Sequence, residues 1–108
     1  MRKKADSFRD FVLDQLRDVP GVSCRAMFGG HGLYRDGSMF GILYQARFYL
    51  KVGPRSRAPF EKAGMKPFKP NARMTLKSYY EVPAEVVERP AELARWASNA
   101  VRAAGRRS

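Results

Sequence analysis

The run LYRDGSMFGILYQARFYLKV, residues 33–52, carries the strongest structural signal in the chain. It consists of three short strand-like segments separated by two turn sequences. Asp36-Gly37 supplies the positive-φ residues of a tight hairpin, and Gln45-Ala46 marks a second turn. Short strands joined by tight turns form antiparallel meanders. The run therefore predicts consecutive antiparallel strands at 33–35, 38–44 and 47–52.

Strands are also predicted on both sides of this run. Residues 22–28 alternate, and the positions predicted to face the core are Val22, Cys24, Ala26 and Phe28. Residues 29–32, Gly-Gly-His-Gly, break this pattern, and a hairpin bend that needs positive φ explains the glycines. Residues 73–82 predict a long strand that completes the sheet.

Helices are predicted at both ends of the chain. Residues 6–18 place apolar side chains at helical spacing, and Pro20-Gly21 ends that helix. Pro90 opens the last helix, whose apolar stripe comprises Leu93, Trp96, Ala97, Ala100, Val101 and Ala104. Between the ends we predict a short helix at 55–63, with Phe60 as its buried side chain, and a helical turn at 83–88. Residues 65–71 are predicted to be a loop held by Phe68, because they contain two prolines.

These elements predict an α+β fold with two layers. An antiparallel sheet, made of the meander and one later strand, is covered on one face by the N- and C-terminal helices. We expect a single domain over residues 1–108 with an ordered core at about 6–104. The 108 residues and the 44% hydrophobic content suit a globular domain rather than a disordered or disulfide-framework chain.

Cysteine and targeting signals indicate a reducing compartment. The single cysteine excludes an intramolecular disulfide, and charged residues follow the basic N-terminus where a signal peptide needs an apolar run. No uncharged stretch reaches the roughly 20 residues that span a bilayer. We therefore expect a cytoplasmic protein with no membrane partner.

The residues that catalysis requires are scarce. With one histidine and one cysteine, no His/Cys metal cluster can form, and no metal is expected. A Cys24–His31 pair is conceivable, but the strand pattern favours a buried, unreactive Cys24 and a His31 in a turn. Residues 29–32 lack the helix and the Lys-Ser/Thr pair of a phosphate-binding loop. We predict a protein that is not an enzyme and needs no cofactor.

Charge is the unusual property of this chain. Its formal net charge is +11, and the middle third, residues 47–77, holds nine basic groups against the single acid Glu61. Arg47, Tyr49 and Lys51 share the outward side of one predicted strand, and the outward side of another carries Arg73, Lys77 and Tyr79. If these strands are neighbours, the uncovered sheet face is basic with interleaved tyrosines, which suits phosphates and bases. The alternative is a solvated face whose lysines discourage edge pairing.

Several segments together resemble a known family. They are RAMFGGHGLY at 25–34 and DGSMFG at 36–41, followed by FYLK at 48–51, FEKAG at 60–64, KPF at 66–68, SYYEVP at 78–83 and LARW at 93–96. The chain resembles the TfoX N-terminal domain family from about Phe8 to Ala104. The resemblance implies a small α+β domain without a catalytic centre, from co-regulators of natural competence that act with a cyclic-AMP receptor protein at promoters. Full-length members carry a second, C-terminal domain, so the chain is expected to correspond to the N-terminal domain alone.

We therefore expect a non-catalytic regulatory module associated with DNA or with a DNA-bound transcription factor of the cyclic-AMP receptor protein type. The alternative is a protein-interaction adaptor or homodimerisation domain without nucleic-acid contact. Among the positions that match the family, packing explains Arg25, Lys51 and Tyr79 least, although an ion pair with Asp36 would also account for Arg25. The residues predicted to bind nucleic acid are Arg25, Arg47, Tyr49, Lys51, Arg55, Arg57, Lys66, Lys69, Arg73, Lys77 and Tyr79.

Overall fold

The computed structural model describes residues 4–27 and 29–105 of the chain. In this part, six strands form one antiparallel sheet in the order β1-β2-β3-β4-β6-β5. The strands are β1 (Ser23–Met27), β2 (Gly30–Arg35), β3 (Ser38–Tyr44), β4 (Arg47–Lys51), β5 (Pro67–Asn71) and β6 (Met74–Glu81). The helices are α1 (Lys4–Gln15), α2 (Ala58–Lys62), α3 (Ala84–Val87) and α4 (Pro90–Gly105). The predicted α+β class is confirmed.

Two tight turns build the meander as predicted. Asp36 and Gly37 have φ values of 52° and 80°, and Gln45 and Ala46 have φ values of 50° and 59°. Positive φ at both central residues is the geometry that matches the right-handed twist of paired strands. The Gln45-Ala46 turn adopts it without glycine or asparagine, which makes its backbone strained.

The glycines after β1 have a different role from the predicted one. Gly29 has a φ of +79° and belongs to the turn, but β2 already begins at Gly30. A Cβ at Gly30 would lie 2.2 Å from the Leu43 carbonyl oxygen. The predicted bend over 29–32 is thus wrong for residues 30–32, where glycine permits a close approach of neighbouring strands. The predicted core position of Phe28 lies outside the described residues.

The predicted loop at 65–71 is largely a strand. β5 pairs with β6 through Pro67↔Tyr80, Phe68↔Leu76 and Asn71↔Met74, with a register shift on either side of Phe68. Prolines cannot donate to a ladder, so they occur in edge strands and at irregular pairings, and β5 is both. The prediction that Phe68 holds this segment is confirmed, because its side chain is fully buried.

The helices pack on one face of the sheet, as predicted. The buried cluster there joins α1 to α4 across the strands and includes Val12, Leu16, Leu33, Phe40, Phe48, Leu50, Val52, Leu93, Ala97 and Ala100. α1 ends at Gln15, before the predicted boundary at 18, and α2 is shorter than predicted because residues 54–56 form a turn. Cys24 is only half-buried against this cluster, and the prediction for Ala26 is wrong, because Ala26 on the edge strand β1 is exposed.

The second face of the sheet is not left open. A smaller buried cluster forms there from Ile42, Tyr49, Phe68 and Tyr79, with Met39, Tyr44 and Leu76 packed around it. The β5–β6 hairpin supplies Phe68, whose ring lies 4.7 Å from Tyr49 and 5.5 Å from Tyr44 between centroids. The expected bare basic face is therefore partly closed by aromatic packing.

Candidate nucleic-acid interface

The two strands predicted to carry the basic face are neighbours. β4 pairs with β6 through Tyr49↔Glu81, Leu50↔Tyr80 and Lys51↔Tyr79. This pairing puts the outward side of β4 next to the matching side of β6. The condition on which the predicted basic face depends is therefore met.

The two tyrosines of this face are not available to stack on bases. Only 8% of Tyr49 and 6% of Tyr79 is exposed. The Tyr79 hydroxyl donates a hydrogen bond of 3.0 Å to the Met39 carbonyl oxygen. Burial, followed by the nearby Tyr34, raises the pKa of Tyr79 to about 12. The predicted exposure of these two rings is wrong, because both are packed in the buried cluster that contains Ile42 and Phe68.

Two cations instead lie over tyrosine rings. The Lys51 ammonium is 5.3 Å from the centroid of Tyr79, and the Arg25 guanidinium is 5.3 Å from that of Tyr34. Such contacts orient a cation and still leave its hydrogen-bond donors free. Tyr34, rather than an ion pair with Asp36, accounts for the position of Arg25.

A first cleft collects cations beside the β3–β4 turn. We call it the turn cleft; it has a volume of about 550 Å³, and its lining includes Arg47, Tyr49, Lys66, Lys69 and Glu81. Arg47 contacts Glu81 at 3.5 Å in a partly exposed pair. Burial raises the pKa of the Tyr49 hydroxyl, Glu81 adds to this, and Arg47 opposes it. Three cations against one carboxylate make this cleft electropositive.

A second cleft collects cations at the other end of β4. We call it the loop cleft; it has a volume of about 580 Å³, and its lining includes Lys51, Arg55, Ser56, Asn99 and Arg102. The loop after β4 forms one wall and the C-terminal half of α4 forms another. Sequence reasoning missed Arg102 and Asn99, because no local pattern shows that α4 ends beside this loop.

The remaining predicted residues lie apart from these clefts. Arg73 is in the exposed turn between β5 and β6, and Lys77 is exposed on β6. Leu76, rather than Lys77, packs in the cluster that contains Tyr79, so the alternation expected along β6 is broken. Arg57 precedes α2, and its Nε is buried with no hydrogen-bond partner among the described residues.

The cations expected on one basic sheet face are instead divided into separate groups. The turn cleft holds Arg47, Tyr49, Lys66 and Lys69, and the loop cleft holds Lys51 and Arg55. Neutralisation by acids is nonetheless limited. Within residues 4–27 and 29–105, Arg47 is the one member of the nine basic groups at 47–77 that forms an ion pair.

In the described part of the chain, no hydrogen bond joins the Cys24 and His31 side chains. His31 lies in β2 rather than in a turn, and its Nε2 is 3.5 Å from Arg9 Nη1. Burial raises the pKa of the Cys24 thiol, with a smaller opposing effect from Arg9, so the thiolate is disfavoured. No group of three His, Cys, Asp or Glu side chains in the described part of the chain is placed to hold a metal ion. Among the helices described, none has the length and apolar character needed to cross a membrane.

Comparisons with known proteins agree on one family. A profile of the TfoX N-terminal domain matches residues 14–104. The chain is also 34% identical over 71 residues to the DNA transformation protein TfoX1 of Aliivibrio fischeri. That match covers 64% of this chain and 34% of the relative, so the chain spans about a third of the relative's length. Because the profile covers most of the chain, the protein belongs to the TfoX N-terminal domain family.

Proposed function

We propose that this protein is a non-catalytic transcription co-regulator that contacts the phosphate backbone of DNA through the turn cleft. The partner expected from the family resemblance is a DNA-bound transcription factor of the cyclic-AMP receptor protein type. The relative's designation as a DNA transformation protein supports a role at DNA. The proposal concerns this chain's domain, and the partner factor would supply the choice of promoter.

The observation that carries the proposal is the uncompensated charge of the turn cleft. Lys66 and Lys69 are exposed there beside Arg47, and Glu81 is the one acid in the lining. Lysine and arginine that are not neutralised by acids bind DNA phosphates and release counterions. Phosphate contacts position a protein on DNA without reading its sequence. Binding through this cleft alone is therefore expected to be independent of sequence.

The buried tyrosines sharpen this expectation. Proteins that prefer single strands usually present exposed aromatic rings on which bases stack. Tyr49 and Tyr79 are buried within the cluster that contains Phe68 and cannot do so. We therefore expect duplex DNA to bind at least as tightly as a single strand of the same length.

An anisotropy titration with duplex DNA at two salt concentrations tests the proposal. The Lys66→Glu/Lys69→Glu variant should bind more weakly, and the salt slope of its binding constant should fall by about 2, one for each lost phosphate contact. The matched control is Lys62→Glu/Arg89→Glu, which changes the net charge equally at exposed positions outside both clefts. An equal loss of affinity in both variants would show that net charge, and not the turn cleft, attracts DNA.

A second candidate function rests on the edges of the sheet. β1 is an edge strand without proline, whereas the opposite edge, β5, contains Pro67 and Pro70. An exposed edge without proline can pair with a strand of another chain. Light scattering coupled to size exclusion measures the oligomeric state and tests this function. A dimer that does not bind DNA, and that becomes a monomer in the Ala26→Lys variant, would favour the adaptor function.

A further inference from the structure

The loop cleft has the composition of an anion site. Its lining contains Lys51, Arg55 and Arg102, and no Asp or Glu among the described residues lines it. Cations that face one another without acids repel, and a bound anion removes that repulsion. The lining also contains the polar side chains of Ser78 and Asn99.

Internal contacts hold several of these groups in place. Lys51 is half-buried with its ammonium over the Tyr79 ring, 5.3 Å from the centroid. Arg102 donates one hydrogen bond to the Asn99 side-chain oxygen, which leaves most of its five donors free. The Gly53 amide donates to Ser56 Oγ at 2.8 Å and closes the loop that carries Arg55. A partly ordered set of donors loses less entropy when it binds.

The loop cleft is about as large as the turn cleft, but no acid among the described residues lines it. A volume of about 580 Å³ lies in the range of clefts that take small molecules, which is about 300–1,000 Å³. Charge-assisted hydrogen bonds from Arg and Lys are strong when the acceptor is phosphate. We propose that the loop cleft binds a small molecule that carries a phosphate or diphosphate group, independently of the DNA contact assigned to the turn cleft.

The single tryptophan provides a direct readout. Trp96 lines a small adjoining cavity together with Lys51, Ser56, Pro59 and Asn99, which also line the loop cleft. A ligand held by Lys51 and Asn99 therefore binds next to the indole. Its emission should change when the cleft fills, whereas an anion elsewhere on the surface should leave it unchanged.

The experiment titrates the full chain with sodium pyrophosphate and, separately, with ADP. We expect a saturable change in Trp96 fluorescence and a rise in melting temperature of about 5 °C at ten times the dissociation constant. Sodium chloride at matched ionic strength should produce neither saturation nor a fluorescence change. No saturable response to either phosphate compound would overturn the proposal.

Variants locate the site and separate it from DNA binding. Arg55→Gln/Arg102→Gln should lower the affinity for pyrophosphate at least about tenfold, while Lys62→Gln/Arg89→Gln, with the same loss of charge, should retain it. All four side chains are exposed, and the melting temperature without ligand verifies that the variants fold. Equal losses in the two variants would overturn the proposal. The proposal would also be overturned if Arg55→Gln/Arg102→Gln lost affinity for duplex DNA as well as for pyrophosphate. That result would mean that the loop cleft binds the phosphate backbone of DNA.

Discussion

At the scale of single residues, burial decides which polar groups can act. Tyr79 matches the family pattern and lies on the predicted face, yet its hydroxyl is hydrogen-bonded to Met39 and its ring supports Lys51. Strand alternation correctly predicted that it faces away from the helices. Strand alternation could not predict that Tyr79 is buried. The Phe68 ring that closes this face of the sheet comes from β5, whose pairing with β6 is irregular.

The raised pKa of Tyr79 predicts a pH dependence of stability. The Tyr79 hydroxyl has an ordinary pKa of 10 in the unfolded chain and about 12 in the folded one. Between pH 10 and 12 it therefore loses its proton when the protein unfolds. The free energy of unfolding should therefore fall as the pH rises from 10 towards 12. Tyr79→Phe should weaken this fall, and urea denaturation at pH 8, 10 and 11 measures it. An identical decline in both proteins would contradict the burial of this hydroxyl.

At the scale of elements, the hairpin of β5 and β6 closes the second face of the sheet. The meander was predictable because two turn dipeptides and alternating residues specify it locally. β5 was not predictable in this way, because its prolines indicate a loop and only pairing with β6 makes it a strand. The loop cleft could not be predicted from local sequence either, because Arg102 lies about 50 residues after Lys51 in the chain and lines the same cleft.

Truncating the buried residue of β5 tests this role. Phe68→Ala should lower the free energy of unfolding by about 3–5 kcal/mol, the usual effect of emptying a fully buried phenylalanine site. It should also expose Tyr49 to solvent. Met74→Ala in the same hairpin is the control, since Met74 is 49% exposed and should change stability by less than about 0.5 kcal/mol. Urea denaturation measures both, and similar effects would contradict the packing.

The strained β3–β4 turn gives a second prediction at this scale. Gln45→Asn/Ala46→Gly replaces two residues with φ of 50° and 59° by residues that adopt positive φ readily. The free energy of unfolding should rise by about 1 kcal/mol. Ala72→Gly, in a turn without positive φ, should not stabilise the protein. Thermal denaturation distinguishes the two, and a destabilised double variant would exclude turn strain.

At the scale of the whole molecule, net charge is the dominant property. The chain carries +11, and its basic middle third has few acid partners in the described region. Composition alone predicted the excess, but not its division between two clefts at opposite ends of β4. That division follows from the positions of the loops after α2 and β4, which no periodic pattern specifies.

Self-repulsion predicts that salt stabilises the fold. Raising sodium chloride from 0.02 to 0.2 M shortens the screening distance below about 10 Å and should raise the melting temperature. Lys66→Glu/Lys69→Glu, with lower net charge, should respond less. Differential scanning calorimetry measures both. A melting temperature that falls with salt would mean that ion pairs, rather than repulsion, dominate the electrostatics.

The two edge strands of the sheet, β1 and β5, differ in a way that limits self-assembly. A second copy that adds through β1 would produce two joined sheets with a β5 strand at each outer end. Pro67 and Pro70 then stand at both termini of the assembly, where a further strand would need backbone donors that proline lacks. Growth by strand addition would then stop at two copies, and the prolines of β5 would act as a barrier against fibre formation.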